Sequence, residues 1–181
     1  LTVQNIQGSS SSSNTINVAS GHTLHAPGHV IQVVQGLYEG QATSSTSGYA
    51  DTGLSAVITP QSSNNKILVN VDVMFAHTTG YSGSNLRLVR GSTTIYYGTG
   101  TGHQAFHSGL VTQVGGADWM SYRVPAVFLD SPSTTSATTY KVQFNAQQAG
   151  GQIVYINRTI RNNATYDNAG ASTITLMEIA Q

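Results

Sequence analysis

The stretch KILVNVDVMFAH, residues 66–77, constrains the fold of this chain more than any other feature of its sequence. Its β-branched and aromatic residues fall on one parity, whereas the other parity mixes polar and apolar side chains. The first set comprises Ile67, Val69, Val71, Val73 and Phe75. Because successive side chains of a strand point to opposite faces, this alternation predicts one long strand with one buried face. Such a strand needs neighbours that supply the facing half of a hydrophobic core.

The composition favours an all-β domain with an uncharged surface. Hydrophobic residues make up 39% of the 181 residues, whereas charged residues make up only 8%, against about 25% in an ordinary soluble domain. Serine, threonine, asparagine and glycine supply much of the polar surface, and these residues are weak helix formers. The formal net charge is zero, so no basic face is available to bind nucleic acid. No apolar run approaches the roughly 20 residues of a membrane span. The absence of cysteine excludes disulfides and thiolate metal sites.

Residues 1–29 differ from the rest of the chain, and we interpret them as an N-terminal arm or stem. Ser9 to Ser13 is a run of serines, which is typical of a flexible linker. The following segment, NTINVASGHTLHAPG, holds too few apolar residues to bury itself alone. It could wind with copies of itself as the stem of a trimer, or dock as an arm on another surface. Both alternatives predict an attachment or trimerisation segment at 1–29 and a head domain at 30–181.

Beyond the arm, strand patterns alternate with turn signals at intervals of about 8–12 residues, which is typical of a sandwich or barrel. NLRLVR and TTIYYG flank Gly91 and form a predicted hairpin. Pro125 interrupts WMSYRVPAVFLD, residues 119–130, and predicts either an edge strand or two short strands. No segment has a convincing helical pattern. We therefore expect an antiparallel, jelly-roll-like β-sandwich with Tyr38, Tyr140 and Phe144 in its core.

Histidines and carboxylates are the first candidates for metal binding and catalysis. His25 and His29 share a parity, and three copies of either one on a threefold axis could hold a divalent ion. We expect hydrogen-bonded or exposed histidines instead, and no cofactor. The acidic residues are scattered over different segments, so the carboxylate pair of a glycosidase is not indicated. Asp51 and Asp130 precede turn sequences and are interpreted as acceptors for nearby backbone N–H groups. We therefore expect no enzymatic activity.

Aromatic residues in predicted loops, together with one loop histidine, are the candidate ligand contacts. They could form apolar faces for sugar rings while neighbouring amides bind the hydroxyls, which requires little formal charge. The candidates are Tyr81, Tyr96, Tyr97, His103, Phe106, Trp119 and Tyr166. Because Tyr and Trp are also enriched at protein interfaces, we favour subunit contact or core packing for each aromatic residue and keep ligand contact as the alternative.

Several phrases of the head are specific as a group: YADTGLSAVITPQSSNNKILVNV, LRLVRGSTTI, FLDSP followed by TTYKVQF, and STITLMEIAQ. Together they resemble a family of C-terminal β domains in tail fibres and other virion proteins of marine bacteriophages and cyanophages. The resemblance covers residues 15–181. It implies a virion surface protein, a homotrimer with a compact β head, and it brings no catalytic residues.

The resemblance leads to one principal expectation and two alternatives. The principal expectation is a tail-fibre head on the outer surface of the virion that adheres to a host surface glycan. Its partners would be its own copies and, through residues 1–29, other virion proteins. Many weak contacts multiplied by valency would then produce adhesion. The first alternative is a capsid decoration or head-fibre protein attached by its N-terminal arm. The second is a monomeric carbohydrate-binding module.

Overall fold

The computed structural model describes residues 20, 26–78, 84–96, 109–111, 118–146 and 152–181. These residues form an all-β structure without a helix, which confirms the predicted fold class. The strands are β1 (Val30–Tyr38), β2 (Ala42–Ser44), β3 (Ala50–Ile58), β4 (Lys66–His77), β5 (Ser84–Arg90), β6 (Thr93–Tyr96), β7 (Gly109–Val111), β8 (Tyr122–Asp130), β9 (Thr138–Ala146), β10 (Val154–Ile156) and β11 (Ser172–Ile179). Most of the predicted arm lies outside the described residues.

The strands form two antiparallel sheets that share one core. The first sheet has the order β8–β4–β11–β1, and the short strands β10 and β2 extend it beside the end of β4. The second sheet has the order β3–β9–β5–β6, with β7 also pairing with β5. Apart from the β5–β6 hairpin, successive long strands alternate between the two sheets. This alternation is the connectivity of a jelly roll.

β4 lies inside the first sheet, and the alternation predicted for it is confirmed. All five β-branched and aromatic residues on its inner parity are buried. The facing half of the core comes from the second sheet: Leu54, Ala56, Ile58, Leu86, Leu88, Tyr140, Val142 and Phe144. Tyr140 and Phe144 are therefore core residues as predicted, and Tyr38 packs against the core while remaining partly exposed.

The two predictions made from local turn residues are also settled. The β5–β6 hairpin is confirmed, because Arg90 pairs with Thr93 and Gly91 adopts a φ of 57° in the turn. β8 runs without interruption through Pro125, so the alternative of two short strands is wrong. Among the described strands β8 pairs with β4 alone. It is the predicted edge strand, where a residue without an N–H is tolerated.

The sandwich has two distinct ends, which the register of the strands defines. At the first, the arm end, β1 begins and β11 finishes, and the Gly28 N–H donates to the Ala180 carbonyl over 2.8 Å. The chain therefore enters the head from residues 1–29 at this end. At the opposite, distal end, β1 and β4 finish while β8 and β11 begin, since Tyr122 pairs with Phe75.

A buried carboxylate braces the arm end and corrects one interpretation made from the sequence. Asp130, at the end of β8, forms an ion pair with Arg90 at 2.8 Å and accepts a hydrogen bond from the Tyr140 hydroxyl at 2.6 Å. The interpretation of Asp130 as a turn acceptor is therefore wrong. Burial of the Tyr140 hydroxyl, together with its bond to Asp130, raises the pKa of Tyr140. The group links β8 of the first sheet to β5 and β9 of the second.

Candidate functional site

The structure describes three of the seven candidate ligand contacts. Tyr96 belongs to β6 and stacks on Phe128 of β8, with the ring centroids 5.3 Å apart. Its ring therefore packs between the sheets, and core packing is the role that this position favours. Trp119 and Tyr166 are exposed by 57% and 78%. The other four candidates, Tyr81, Tyr97, His103 and Phe106, lie outside the described residues.

Trp119 and Tyr166 both lie at the distal end of the head. Trp119 stands shortly before β8, and Tyr166 belongs to the loop between β10 and β11, residues 157–171. We call this the distal loop. Since β8 and β11 both begin at the distal end, the fold brings these two separate segments to the same end of the head. The sequence alone could not show this proximity.

Arg161 connects the two exposed aromatic residues. Its backbone N–H donates to the Asp118 carbonyl over 2.9 Å, and its guanidinium carbon lies 5.8 Å from the centre of the Trp119 ring. The same guanidinium forms an ion pair with Asp167, the residue that follows Tyr166. A cation near an aromatic face is attracted by the ring quadrupole. Arg161 thus holds the Trp119 segment against the distal loop.

Asp167 organises the distal loop from within. Besides pairing with Arg161, its carboxylate accepts hydrogen bonds from the Thr159 hydroxyl at 2.8 Å and from the Asn163 N–H at 2.7 Å. The hydrogen bond from Arg161 is the largest influence on this carboxyl and, with the other donors, outweighs burial. The pKa of Asp167 therefore lies well below its usual range, and the group remains an anion.

Asn157 ties the start of the distal loop to the sheet. Its side-chain amide donates to the carbonyls of Tyr38 and Gly40 at 2.7 and 2.8 Å, and its oxygen accepts from the Ser172 hydroxyl at 2.6 Å. Its φ of 62° lies in the left-handed region, which asparagine tolerates better than most residues. The loop is therefore fixed at both ends, and the exposed aromatic residues stand on a supported base.

Sequence reasoning identified Trp119 and Tyr166 but missed Arg161 and Asp167, which hold the site together. The available signal was an arginine and an aspartate six residues apart in one polar loop, in a chain where charged residues make up only 8%. A nearby pair of opposite charges is a stronger sign of an ion pair in this chain than in an ordinary one, because charged residues are so few here.

The metal hypothesis gains no ligand set from the part of the chain that the structure describes. There, no group of three or more His, Cys, Asp or Glu side chains could hold an ion. Nδ1 of His29 hydrogen-bonds to the Ala26 carbonyl, and His25 lies outside the described residues. Within the same ranges, no helix is long and apolar enough to cross a membrane.

The outer face of the first sheet carries a second feature, an apolar row that runs across all four of its long strands. The register aligns Val33 of β1 with Met177 of β11, Met177 with Leu68 of β4, and Leu68 with Leu129 of β8. Val33 and Leu129 are exposed by 57% and 47%. The exposed ion pair of Arg123 with Asp72 lies on the same face, nearer the distal end, and outside the row. An apolar row of this kind is typical of a surface that contacts protein.

The outer face of the second sheet differs, because hydrogen-bonded polar side chains cross it. Asp51 forms an ion pair with Lys141 at 2.9 Å and accepts a hydrogen bond from Gln143 at 2.6 Å. Gln143 in turn accepts from Arg87 at 2.8 Å. Asp51 therefore binds side chains of the neighbouring strand, and its interpretation as a turn acceptor is wrong. The contrast marks the first sheet as the more apolar of the two outer faces.

No protein-family model matches the sequence, and a search of the curated proteins finds no match to it.

Proposed function

We propose that the chain is a phage virion structural protein, a non-enzymatic, trimeric tail-fibre head that adheres to a host surface glycan. The observation that carries the proposal is that the two ends of the head differ. The arm enters at one end, where Gly28 bonds to Ala180, and the exposed rings of Trp119 and Tyr166 stand at the other. An adhesin held on a particle needs this arrangement, because its attachment and its contact with the cell must point in opposite directions.

The exposed aromatic rings support a glycan as the ligand. Aromatic side chains provide flat apolar faces, and Trp carries an N–H that can also form a hydrogen bond. The distal loop adds exposed amides on Asn162 and Asn168 that can bind sugar hydroxyls. A single site of this kind binds weakly. Repetition on several subunits raises the avidity without any new contact.

The apolar row supports self-association as the source of that valency. Val33, Leu68, Leu129 and Met177 would lose contact with water if copies of the head packed through the first sheet. Because all copies in a closed trimer are related by a threefold axis, their arms would leave on the same side. The distal ends would then face the cell together.

Binding of the full chain to host cells tests the proposal. We expect the fluorescently labelled protein to bind, and Trp119→Ala to lower cell binding by about tenfold or more, since about 1.4 kcal/mol per site is a factor of ten. Val57→Ala is the control, because Val57 is also exposed, by 51%, but lies on β3 of the other sheet. Equal binding by Trp119→Ala and the unchanged protein would contradict the proposal.

The same experiment separates the decoration-protein alternative. A chain lacking residues 1–28 should still bind cells if the distal end is the adhesive surface. If the full chain binds phage heads instead of cells, and this binding is lost without residues 1–28, the chain is a decoration protein. Binding of a soluble polysaccharide by a monomer would favour a carbohydrate-binding module.

A further inference from the structure

We infer that the distal site selects uncharged sugars and excludes acidic ones such as uronates and sulfated or sialylated glycans. This inference rests on the proposed function and names the chemical class of its ligand. It follows from the distribution of every charge in the protein, together with the way in which Arg161 is held beside Trp119.

All Lys, Arg, Asp and Glu residues of this sequence lie in the ranges that the structure describes. Residues 1–25, 79–83, 97–108, 112–117 and 147–151 contain no Lys, Arg, Asp or Glu. Every side chain that is charged at neutral pH therefore lies in the described ranges. An acidic ligand would have to find its cation among these residues.

Four of the seven Lys and Arg residues are neutralised by carboxylates within the head. The pairs are Arg90 with Asp130, Arg123 with Asp72, Lys141 with Asp51, and Arg161 with Asp167. Two of these pairs, those of Arg123 and Arg161, lie at the distal end. A carboxylate or sulfate ligand would have to compete for either guanidinium with an aspartate that already balances its charge.

The three remaining cations offer no anion site at the distal end either. Arg158 donates from Nε and Nη2 to the carbonyls of Thr159 and Ile160, at 3.0 and 2.9 Å, and lies over the Tyr155 ring. Arg87 and Lys66 lie elsewhere, on the outer face of the second sheet and at the arm end. Arg158 is thus the cation of the distal loop without a carboxylate partner among the described residues, and its contacts are made to the protein's own carbonyls and to the Tyr155 ring.

Acidic residues outnumber basic ones at the distal end, so the local field also opposes an anion. The carboxylates there include exposed Asp118, directly before Trp119, and exposed Glu39, directly after β1. Like charges close to a binding site disfavour an anionic partner, and this repulsion weakens as salt is added.

Arg161 is therefore a positioning residue rather than a ligand contact. Its guanidinium uses Nε and Nη2 on Asp167 while lying near the Trp119 ring. The ring keeps 57% of its surface exposed in this arrangement. A neutral pyranose can stack on that exposed surface and leave the Arg161–Asp167 pair intact. An acidic sugar stacked on Trp119 would find the nearby Arg161 already paired with Asp167.

Binding to polysaccharides that share a backbone and differ in charge tests the inference. We would measure the full chain against highly methyl-esterified pectin and de-esterified pectate, and against neutral galactan and its sulfated form, with dextran and mannan added. We expect binding to neutral polymers alone, with an affinity that changes less than about twofold between roughly 50 and 500 mM NaCl. Trp119→Ala should lower that affinity by about tenfold.

Arg161→Gln separates a positioning role from direct anion binding. It should weaken binding of the neutral polymer without changing the preference for neutral over acidic chains, whereas Val57→Ala should change neither. Binding of the acidic polymers that falls with salt and disappears in Arg161→Gln would overturn the inference and leave adhesion standing. If the chain binds neither the polymers nor host cells, the inference and the proposed function both fail.

Discussion

Replacement of Glu178 by glutamine probes a buried carboxylate that forms no ion pair with any of the residues that the structure describes. Glu178 is fully buried near the end of β11, where Oε1 accepts hydrogen bonds from the Gln61 N–H at 2.7 Å and the Asn65 amide at 2.6 Å. Oε2 accepts from the Gln32 amide at 2.5 Å. These donors come from β1 and from the turn between β3 and β4, so one carboxylate ties three parts of the arm end together.

The geometry sets the size of the effect of Glu178→Gln. The remaining oxygen of glutamine can still accept from Gln61 and Asn65, but the new amide nitrogen would face the Gln32 donor. Gln32 cannot simply rotate its amide, because the same nitrogen donates to the Thr59 carbonyl at 2.8 Å. One buried donor left unsatisfied, with the loss of charge-assisted bonds, costs about 2–3 kcal/mol of unfolding free energy. For a chain of this size the melting temperature should fall by about 5–10 °C.

The pH dependence of this difference has a definite sign. Burial raises the pKa of Glu178, but hydrogen bonds from Asn65, Gln32 and the N–H groups of Gln61 and Ser62 outweigh it, so the pKa lies below its ordinary value of 4.5. A depressed pKa stabilises the folded state above the pKa of the unfolded chain, and this stability is lost as the pH falls through the folded value. The difference between the two proteins should therefore be full at pH 7 and shrink below about pH 4.

Equilibrium urea unfolding at pH 7 and at pH 3, at one fixed protein concentration, measures both effects. Glu39→Gln is the matched control, because Glu39 is exposed and its replacement should change stability by less than about 0.5 kcal/mol. Equal stability of Glu178→Gln and the unchanged protein at pH 7 would refute the reasoning. So would a difference that stays constant down to pH 3.

Three further predictions follow from the same structure. Tyr140→Phe removes the hydroxyl bond to Asp130 while keeping the buried ring, and should cost about 1–2 kcal/mol in urea unfolding; no loss would contradict the bond. Gly36→Ala would place a Cβ 2.0 Å from a backbone carbonyl oxygen of β3, so the yield of soluble folded protein should be lost. Gly48→Ala is the control and should fold normally, because a Cβ at Gly48 would have no neighbouring atom within 4 Å. Leu129→Glu puts a charge in the apolar row. If the proposed trimer forms through this face, light scattering should show the mass of a monomer for the folded variant, whereas an unchanged trimer mass would exclude this face as the interface.

The strand content of the head could be predicted from the sequence because burial of one face forces a period of two. The alternation at 66–77 identified the inner face of β4 correctly, and one of the two alternatives predicted from Pro125, the edge strand, was correct. Both features are local. The alternation depends only on which side of one strand faces the core, and the edge position depends only on the N–H that proline lacks.

The roles of the polar residues could not be predicted, because they depend on contacts between segments far apart in the chain. Asp130 reads as part of a turn, yet it is buried against Arg90 and Tyr140, which belong to other strands. Likewise, no local pattern shows that Val33 and Leu129 lie on one row, since that requires the register of four strands. The alternation along one strand shows which face of the sheet a residue lies on, but its neighbours on that face depend on how the strands pair.

Immunogold electron microscopy of the source virion, with antibody raised against residues 30–181, would show whether the protein is a tail-fibre head. We expect gold at the tips of the tail fibres. Gold spread over the capsid would contradict the receptor-binding role and favour the decoration protein. Absence of gold from every particle would contradict the virion assignment itself.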